Sequence, residues 1–369
     1  MYSKCLKSLL VAVFSVCICF YSNTSFAQEA ADNHGIEQHV TSDHKEEGGF
    51  NVTETILDHI RDHHSWHLWG HTSIPLPVIL KTDKGFEVFS SSHLTDEHHQ
   101  PVVYNGNNPY KLVEGKIKIV SNDGSVDDEA SKKVFDISFT KNVASMFITV
   151  LALILIFTGV AKAYQKTGVS SAPKGFQSFI EPIILFVRDE VAKPYLGHSY
   201  ARFMPFLLTI FFFVWINNLL GLVPFFPGGA NLSGNIAFTL TLALFTFVIV
   251  TVNGKKEYWK HIFWMPGLPV PMKIFLMPIE ILGVFIKPIS LTIRLFANIT
   301  AGHILVLSLI SLIFIFKAVS ASAIAVPFTV FISVIELLVG FLQAFIFAML
   351  SALYIGMAIE EHHEEELML

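Results

Sequence analysis

The feature that most constrains this chain is a set of long stretches without a single charged side chain. Residues 142–161 form one such stretch, and residues 203–254 form a second that is long enough for two helices. As an α-helix, about 20 consecutive apolar residues span the roughly 30 Å of hydrocarbon in a bilayer. With 52% of its residues hydrophobic and 15% charged, the chain is too apolar for a soluble globular domain. The sequence therefore predicts a polytopic membrane protein.

Turn-forming residues divide the apolar stretches into five membrane elements. Pro227, Gly228 and Gly229 interrupt the second stretch, which predicts two helices that fold back on each other. Two longer apolar segments follow at residues 275–316 and 328–359, and both exceed the length of a perpendicular crossing. We predict an all-α membrane fold of about five helices, of which the last two are long and tilted.

The first 140 residues differ from the rest and divide into two parts. Residues 1–27 have the lysines, the short apolar core and the small residues that are typical of a secretory signal, although an uncleaved membrane helix stays an alternative. Residues 28–140 are polar, contain eleven of the sixteen histidines and include short alternating runs that favour a few strands. We predict a small extracytoplasmic domain at 28–140 and a transmembrane domain at 141–369.

Cysteine and histidine positions bear on metal binding. All three cysteines lie within residues 1–27, so we expect no disulfide and no thiolate metal site in the mature chain. A group of five histidines has a spacing that could bind zinc on a helix, but a solvated polar surface is the simpler interpretation: His59, His63, His64, His67 and His71. We predict no metal and no cofactor, and no nucleic-acid partner because no basic surface stands out.

The distribution of Lys and Arg predicts the orientation. Residues 162–202 contain six of them and residues 254–273 contain four, whereas the other two loops contain almost none. Because positively charged loops remain in the cytoplasm, we predict that the mature N-terminus lies outside and the C-terminus inside. An amphipathic pattern between residues 176 and 191 predicts a helix that lies along the cytoplasmic surface of the membrane.

Ionisable residues inside the last two apolar segments carry the functional signal. An arginine at the bilayer centre costs at least about 2.5–3.5 kcal/mol, so Arg294 needs a partner or a water-filled cavity. Glu280, Lys287 and Arg294 are spaced seven residues apart and share one stripe of a helix, which Asn298 continues. His303 lies nine residues beyond Arg294 and faces a different direction.

The last helix carries Glu336 and Gln343, which are also seven residues apart. In an antiparallel hairpin, residues at equal depth have nearly constant index sums. This rule pairs Arg294 with Gln343 and pairs His303 with Glu336. Polar residues in membrane helices can also join helices structurally, at about 0.6 kcal/mol per hydrogen bond, but such a role does not need a permanent charge. We therefore predict a functional site on these two helices.

Two segments of these helices resemble a known family. Residues 290–303, SLTIRLFANITAGH, and residues 342–350, LQAFIFAML, closely resemble subunit a of the F-type ATP synthase, the stator subunit of its membrane sector. Residues 218–224, NLLGLVP, and 354–362, YIGMAIEEH, resemble further signatures of that family. The resemblance runs in order from about residue 135 to 363 and leaves out the histidine-rich domain.

The resemblance implies a role for each polar residue of the site. Arg294 is implied to be the essential stator arginine, with Gln343 as its neighbour and Asn298 on the same path. His303 and Glu336 resemble a side-swapped version of a pair found in some bacterial members, and they are expected to line a half-channel open to the outside. Glu280 is expected to line the half-channel open to the cytoplasm. Carboxylates present at the outer turn of some relatives are replaced here by Asn231 and Asn235.

The resemblance also implies a function, partners and a location. We expect a non-catalytic, proton-translocating subunit that serves a rotor ring of small hairpin subunits, so that proton flow drives ATP synthesis. Further implied partners are the peripheral-stalk subunit b, other ATP synthase subunits and membrane lipid, and the implied location is the bacterial inner membrane. The choice between proton and sodium depends on rotor residues and stays open.

Two other functional classes are weaker alternatives. Secondary transporters usually show duplicated halves, and residues 140–360 contain no internal repeat. A haem-bearing respiratory subunit would need paired histidines inside the spans, and only His303 qualifies.

Overall fold

The computed structural model of the chain describes residues 53, 56, 60–69, 72–96, 100–113, 115–121, 124–168, 172–223, 226–265, 267–316 and 319–360. The predicted signal at residues 1–27 and the C-terminal residues 361–369 lie outside the described residues, as do His59 and His71. Within the described part, five helices are long and apolar enough to cross a membrane. This number confirms the fold class that the sequence predicted.

Among the described residues, eight short strands precede the first long helix. They are β1 (Ser65–Trp69), β2 (Thr72–Pro75), β3 (Pro77–Thr82), β4 (Gly85–Ser90), β5 (Tyr104–Asn105), β6 (Pro109–Val113), β7 (Lys116–Ile119) and β8 (Phe135–Asp136), with a short helix α1 (Asp128–Ser131) before β8. The sheets are antiparallel and have the strand orders β1-β2, β4-β3-β8 and β5-β6-β7. Alternation along β3 turns Val78 and Leu80 inward, where they pack with Phe89 and Tyr110 in a small core.

Eight α-helices follow the strands in the part of the chain that the structure describes. They are α2 (Lys141–Thr167), α3 (Phe176–Phe186), α4 (Lys193–Leu196), α5 (Tyr200–Leu222), α6 (Ile236–Asn253), α7 (Lys256–Phe263), α8 (Val270–Phe316) and α9 (Val319–Ile359). A π-helical segment, Val187–Ala192, joins α3 to α4. Residues 176–196 are therefore helical throughout, as the amphipathic pattern predicted, while the position of this segment along the membrane stays a prediction.

Side-chain caps and turn residues set the helix boundaries. The Thr140 hydroxyl accepts a hydrogen bond from the Val143 amide at the start of α2, and the Asn235 side chain accepts one from the Ala237 amide at the start of α6. Gly168 ends α2 with a φ of 71°, a conformation that glycine adopts without strain. The break between α5 and α6 falls at the proline and glycine residues that predicted a fold-back.

Small residues allow α9 to pack tightly in the centre of the helical core. Ala344, Ala348 and Ala352 recur every four residues and are fully buried. They belong to the same core as Leu207 and Phe211 of α5, which are also fully buried. Small side chains let helix backbones approach closely in a membrane, where dispersion contacts replace the hydrophobic effect as the main attraction between helices.

The last two helices are long and largely unburied. At 1.5 Å per residue, the 47 residues of α8 and the 41 of α9 extend about 70 Å and about 60 Å. Because both lengths are about twice the roughly 30 Å thickness of the hydrocarbon layer, neither helix fits upright. Only 11% of the most apolar part of α8 is buried in this chain, and 28% of that of α9.

An ion pair with a buried histidine lies where the strands meet the first long helix. His64 Nε2 is 2.9 Å from Asp136 Oδ2, and His64 is 6% exposed. Burial lowers the pKa of His64, but the hydrogen bond to Asp136 and the charges of Asp136 and Asp62 outweigh it and raise that pKa above 6.5. Burial raises the pKa of Asp136, yet its bond to His64 holds the net value below 3.8.

Replacing His64 with Gln should destabilise the chain in a pH-dependent way. Because the folded-state pKa of His64 is raised, its ion pair contributes fully below pH 6.5 and is lost as the pH rises through that raised pKa. The difference in thermal stability between wild type and His64→Gln should therefore be largest near pH 6 and shrink towards pH 9. Thermal unfolding in detergent across this range measures it, and a difference independent of pH would contradict the assignment.

Candidate functional site on the two long helices

The paired helices α8 and α9 bring polar side chains together at two levels. Asn298 Nδ2 donates a hydrogen bond of 2.8 Å to Gln343 Oε1. Nearer the hairpin end, His303 Nδ1 lies 3.3 Å from Glu336 Oε1. The contact between His303 and Glu336 is the one that the index sums predicted. Gln343, by contrast, bonds to Asn298, one helical turn from its predicted neighbour Arg294.

Glu336 and Gln343 of α9 are buried, whereas Arg294 of α8 is exposed. Glu336 is 6% exposed and Gln343 is 2% exposed. Arg294 is exposed on the surface of the helix pair. No carboxylate among the described residues forms an ion pair with it. A permanent charge therefore stands on an apolar surface without an anionic partner in the described part of this chain.

Much of the exposed surface of α8 and α9 is apolar, and we call this surface the apolar stripe. On α8 it includes Ile286, Ile289 and Ile293, each between 49% and 58% exposed. On α9 it includes Val334 and Leu338, at 60% and 61%. A stripe of this kind suits lipid or another membrane helix, but lipid tails offer nothing to the guanidinium.

Two glycines leave space beside the His303–Glu336 pair. A Cβ atom at Gly302 would lie 2.8 Å from Glu336 Oε1 and 3.1 Å from its Cγ. The carboxylate thus occupies the place where a side chain of residue 302 would begin. On α5, a Cβ atom at Gly221 would lie 3.7 Å from His303 Nε2. Neither glycine was singled out from the sequence, although Gly302 directly precedes His303 and small residues are the usual signal of close approach.

Buried amides on α5 connect this site to its neighbours. Asn218 Nδ2 donates to the Gly340 carbonyl of α9 at 2.9 Å, and Asn218 Oδ1 accepts from the Ser233 hydroxyl at 2.6 Å. Asn217 Oδ1 accepts from the Thr149 hydroxyl of α2 at 2.9 Å. These bonds tie α2, α5 and α9 together, which is the structural role of polar groups inside membrane helices. Asn235, by contrast, serves as a helix cap.

A second polar group lies on α8 on the other side of Arg294. Lys287 Nζ is 5.5 Å above the ring of Tyr354, a cation–π contact. Both side chains line a small cavity together with Tyr258 and Pro288. Burial, and then the nearby Glu280 carboxylate, raise the pKa of the Tyr258 hydroxyl above 10.0. Glu280 is thus close to this cavity, about 21 Å along the helix from Arg294.

Among the described residues no group of three or more histidine, cysteine or acidic side chains is arranged to hold a metal ion. Of the five histidines with zinc-like spacing, His64 is paired with Asp136.

Replacing Asn218 with Ala should loosen the helix bundle. The change removes the partner of both the Ser233 hydroxyl and the Gly340 carbonyl, so we expect a loss of about 1–2 kcal/mol in unfolding free energy. Ser333→Ala is the control, because among the described residues the Ser333 hydroxyl bonds to the Thr329 carbonyl of its own helix and to no other helix. Denaturant unfolding in mixed micelles compares the two variants, and equal stabilities would contradict the bridging role of Asn218.

Family models match two parts of the chain. The model described as "ATP synthase A chain" matches residues 143–356, which is more than half of the chain. A model described as a domain of unknown function (DUF8433) matches residues 55–137, the region of the strands.

Curated relatives agree with the first match. The ATP synthase subunit a of Chloroherpeton thalassium is 47% identical over 238 residues, which cover 63% of this chain and 70% of the relative. "ATP synthase subunit a 2" of Chlorobaculum tepidum is 46% identical over 230 residues, 61% of this chain and 64% of the relative. The subunit a of an Anaeromyxobacter species is 36% identical over 293 residues, 76% and 64% of the two chains. The chain therefore belongs to the ATP synthase subunit a family, and it is a multi-pass membrane protein and a proton-translocating component of that complex.

Proposed function

We propose that this chain is the stator that connects two aqueous half-channels to a rotor ring, with Arg294 between them. The observation that carries the proposal is the exposed guanidinium on the apolar stripe of α8 and α9. Such a charge is tolerated in hydrocarbon only beside an anion or water. A ring of small hairpin subunits, each with one intramembrane carboxylate, would supply that anion.

A guanidinium acts on such a carboxylate without taking its proton. Because Arg stays protonated at any accessible pH, it favours the ionised form of a nearby acid and cannot itself relay the proton. The acid therefore releases its proton as it passes Arg294, and the fixed charge blocks a direct leak between the half-channels. Each proton that moves down the potential supplies about 2.3 kcal/mol per 100 mV for rotation.

The His303–Glu336 pair is suited to hand protons to the ring. Glu336 Oε1 is buried and makes no aligned hydrogen bond to a described residue, and it lies 3.3 Å from His303 Nδ1. Imidazole and carboxylate groups can exchange a proton at this distance, and histidine titrates near neutral pH. Asn298 and Gln343 lie between this pair and Arg294, where their amides line the path. We propose that this half-channel opens to the outside.

The group around Glu280 is suited to the opposite half-channel. Glu280 lies on the other side of Arg294 along α8, near Lys287 and the small cavity. Lysines are concentrated on the loop before α8, so the positive-inside rule assigns this end to the cytoplasm. By the same rule, the mature N-terminus lies on the outer side of the membrane and the C-terminus on the cytoplasmic side. We propose that this membrane is the bacterial inner membrane.

The remaining parts of the proposal follow from the stator role. ATP chemistry takes place on other subunits, because the chain has no phosphate-binding Gly-rich Lys motif, and the chain itself is non-catalytic. A stator must be held against the turning ring, which calls for the peripheral-stalk subunit b as a further partner.

Replacing Arg294 with Ala should abolish ATP-driven proton pumping while the complex still assembles. Without the fixed positive charge, nothing at the interface would favour the ionised form of the ring carboxylates. Arg188→Ala is the control, since that arginine pairs with Asp189 outside the two long helices. Acidification of inverted membrane vesicles on addition of ATP measures pumping. Normal pumping by the Arg294→Ala complex would refute the stator role.

Replacing Gly302 with Ala should slow proton flux without loss of folding. The added methyl group would push the flexible Glu336 carboxylate away from His303. Gly283→Ala is the matched control on the same helix, because a Cβ atom at Gly283 meets nothing within 4 Å. We expect Gly302→Ala and Glu336→Gln to lower the rate of ATP synthesis driven by an imposed pH gradient. Wild-type rates in both variants would remove the pair from the path.

A further inference from the structure

The strands β1–β8, which we call the strand domain, contact the turn between α5 and α6 through Trp66. Trp66 of β1 is 3% exposed, and its indole Nε1–H donates a hydrogen bond of 3.1 Å to the Gly228 carbonyl. Its ring also packs edge-on against Phe226, with centroids 5.2 Å apart and an interplanar angle of 64°. A buried indole with its N–H satisfied makes both an apolar and a directional contact.

The same stretch of chain is fixed to the start of the first long helix. Asp62 Oδ1 accepts a hydrogen bond of 3.0 Å from the Asn142 amide, and the His63 carbonyl accepts one of 2.9 Å from the Lys141 amide. The segment from Asp62 to Trp66 is therefore held at two places, the N-terminus of α2 and the α5–α6 turn. It forms a bridge between them on one side of the membrane part.

The turn that Trp66 holds lies against the His303 side of the proposed half-channel. A Cβ atom at Gly221 would lie 3.5 Å from the Ala230 carbonyl oxygen and 3.7 Å from His303 Nε2. The turn and the imidazole therefore flank the same point of α5. Residues 230, 232 and 233 of the turn are fully buried or nearly so.

The turn is also tightly coupled to the helices that carry the site. The Gly229 amide donates to the Leu220 carbonyl at 3.0 Å, and a side-chain carbon at Gly228 would collide with the Val223 carbonyl. Through the Ser233 hydroxyl the turn bonds to Asn218, which in turn bonds to α9. A displacement of Gly228 would therefore be transmitted to α5 beside His303, and through Ser233 and Asn218 to α9, which carries Glu336.

We propose that the strand domain braces the outer mouth of the proton-uptake half-channel, and that Trp66 is the positioning residue of this brace. The inference rests on the proposed function, because it assigns the His303 side to proton uptake. In this proposal the strand domain does not itself take part in proton transfer. It holds the α5–α6 turn in position beside His303, and so keeps the half-channel in the geometry that proton transfer requires.

The test compares two Trp66 variants with a control in the assembled complex. Trp66→Ala removes both the aromatic side chain and the donor, whereas Trp66→Phe removes the N–H and one of the two fused rings but keeps an aromatic ring. Phe86→Ala is the matched control, since Phe86 is an aromatic residue of the same domain that is 66% exposed. ATP synthesis driven by an imposed pH gradient is measured as a function of external pH and normalised to the amount of assembled complex.

We expect Trp66→Ala to lower the normalised rate several-fold and to shift its dependence on external pH. A misplacement of 1 Å in a reacting geometry can lower a rate by about 100-fold, so a several-fold loss lies within this range. Trp66→Phe should show a smaller shift in the same direction, and Phe86→Ala should match wild type. A merely structural role would reduce the amount of complex and leave the normalised pH profile unchanged.

The outcomes separate the brace from the stator role. A wild-type pH profile in Trp66→Ala overturns the brace, and if that variant does not assemble, a wild-type profile in Trp66→Phe does so. The stator role is judged separately by Arg294→Ala, and normal pumping in that variant overturns both proposals.

Discussion

The cost of holding a permanent charge in hydrocarbon governs the design of this chain. A guanidinium at the bilayer centre is unfavourable by at least about 2.5–3.5 kcal/mol, and it cannot become neutral as a lysine or a carboxyl group can. Arg294 is nevertheless exposed on an apolar stripe of the two longest helices. The membrane helices α5 and α6 pack against these two helices, and polar side chains lie on both sides of Arg294 along α8.

Close packing makes these polar groups possible. The alanines of α9 bring its backbone near α5, so that Asn218 can reach the Gly340 carbonyl. The missing side chain of Gly302 gives the Glu336 carboxylate its place beside His303. In both cases a small residue provides the space and a polar residue uses it. The site therefore depends on positions that carry no functional group of their own.

The sequence predicts the helices well because the signal there is local. An uncharged run of about 20 residues has few alternatives to a membrane span, and five such elements were found where they were expected. The contact between His303 and Glu336 also followed, since antiparallel pairing leaves few partners at equal depth. Gln343 bonds to Asn298 instead of Arg294 because an index sum fixes depth only to within about one helical turn, and side-chain length and exposure decide the partner within it.

Contacts between distant parts of the chain could not be predicted in the same way. The bond from Trp66 to Gly228 joins residues 162 positions apart, and nothing in either segment specifies the other. The roles of Gly302 and Gly221 depend equally on neighbours that only the folded chain supplies. The sequence favoured a solvated surface for the five spaced histidines over a zinc site, but His64 is only 6% exposed and forms an ion pair with Asp136.

The length of α8 has a geometrical consequence for the proposed stator role. A helix of about 70 Å confined to a layer of about 30 Å runs obliquely, so residues that follow one another along it are offset sideways as well as in depth. If the chain serves a rotor ring as proposed, a ring carboxylate would meet Glu280 and His303 at different points along the circumference of the ring. It would then travel an arc between taking up a proton at one point and releasing it at the other, and this lateral offset would convert a gradient across the membrane into motion within its plane.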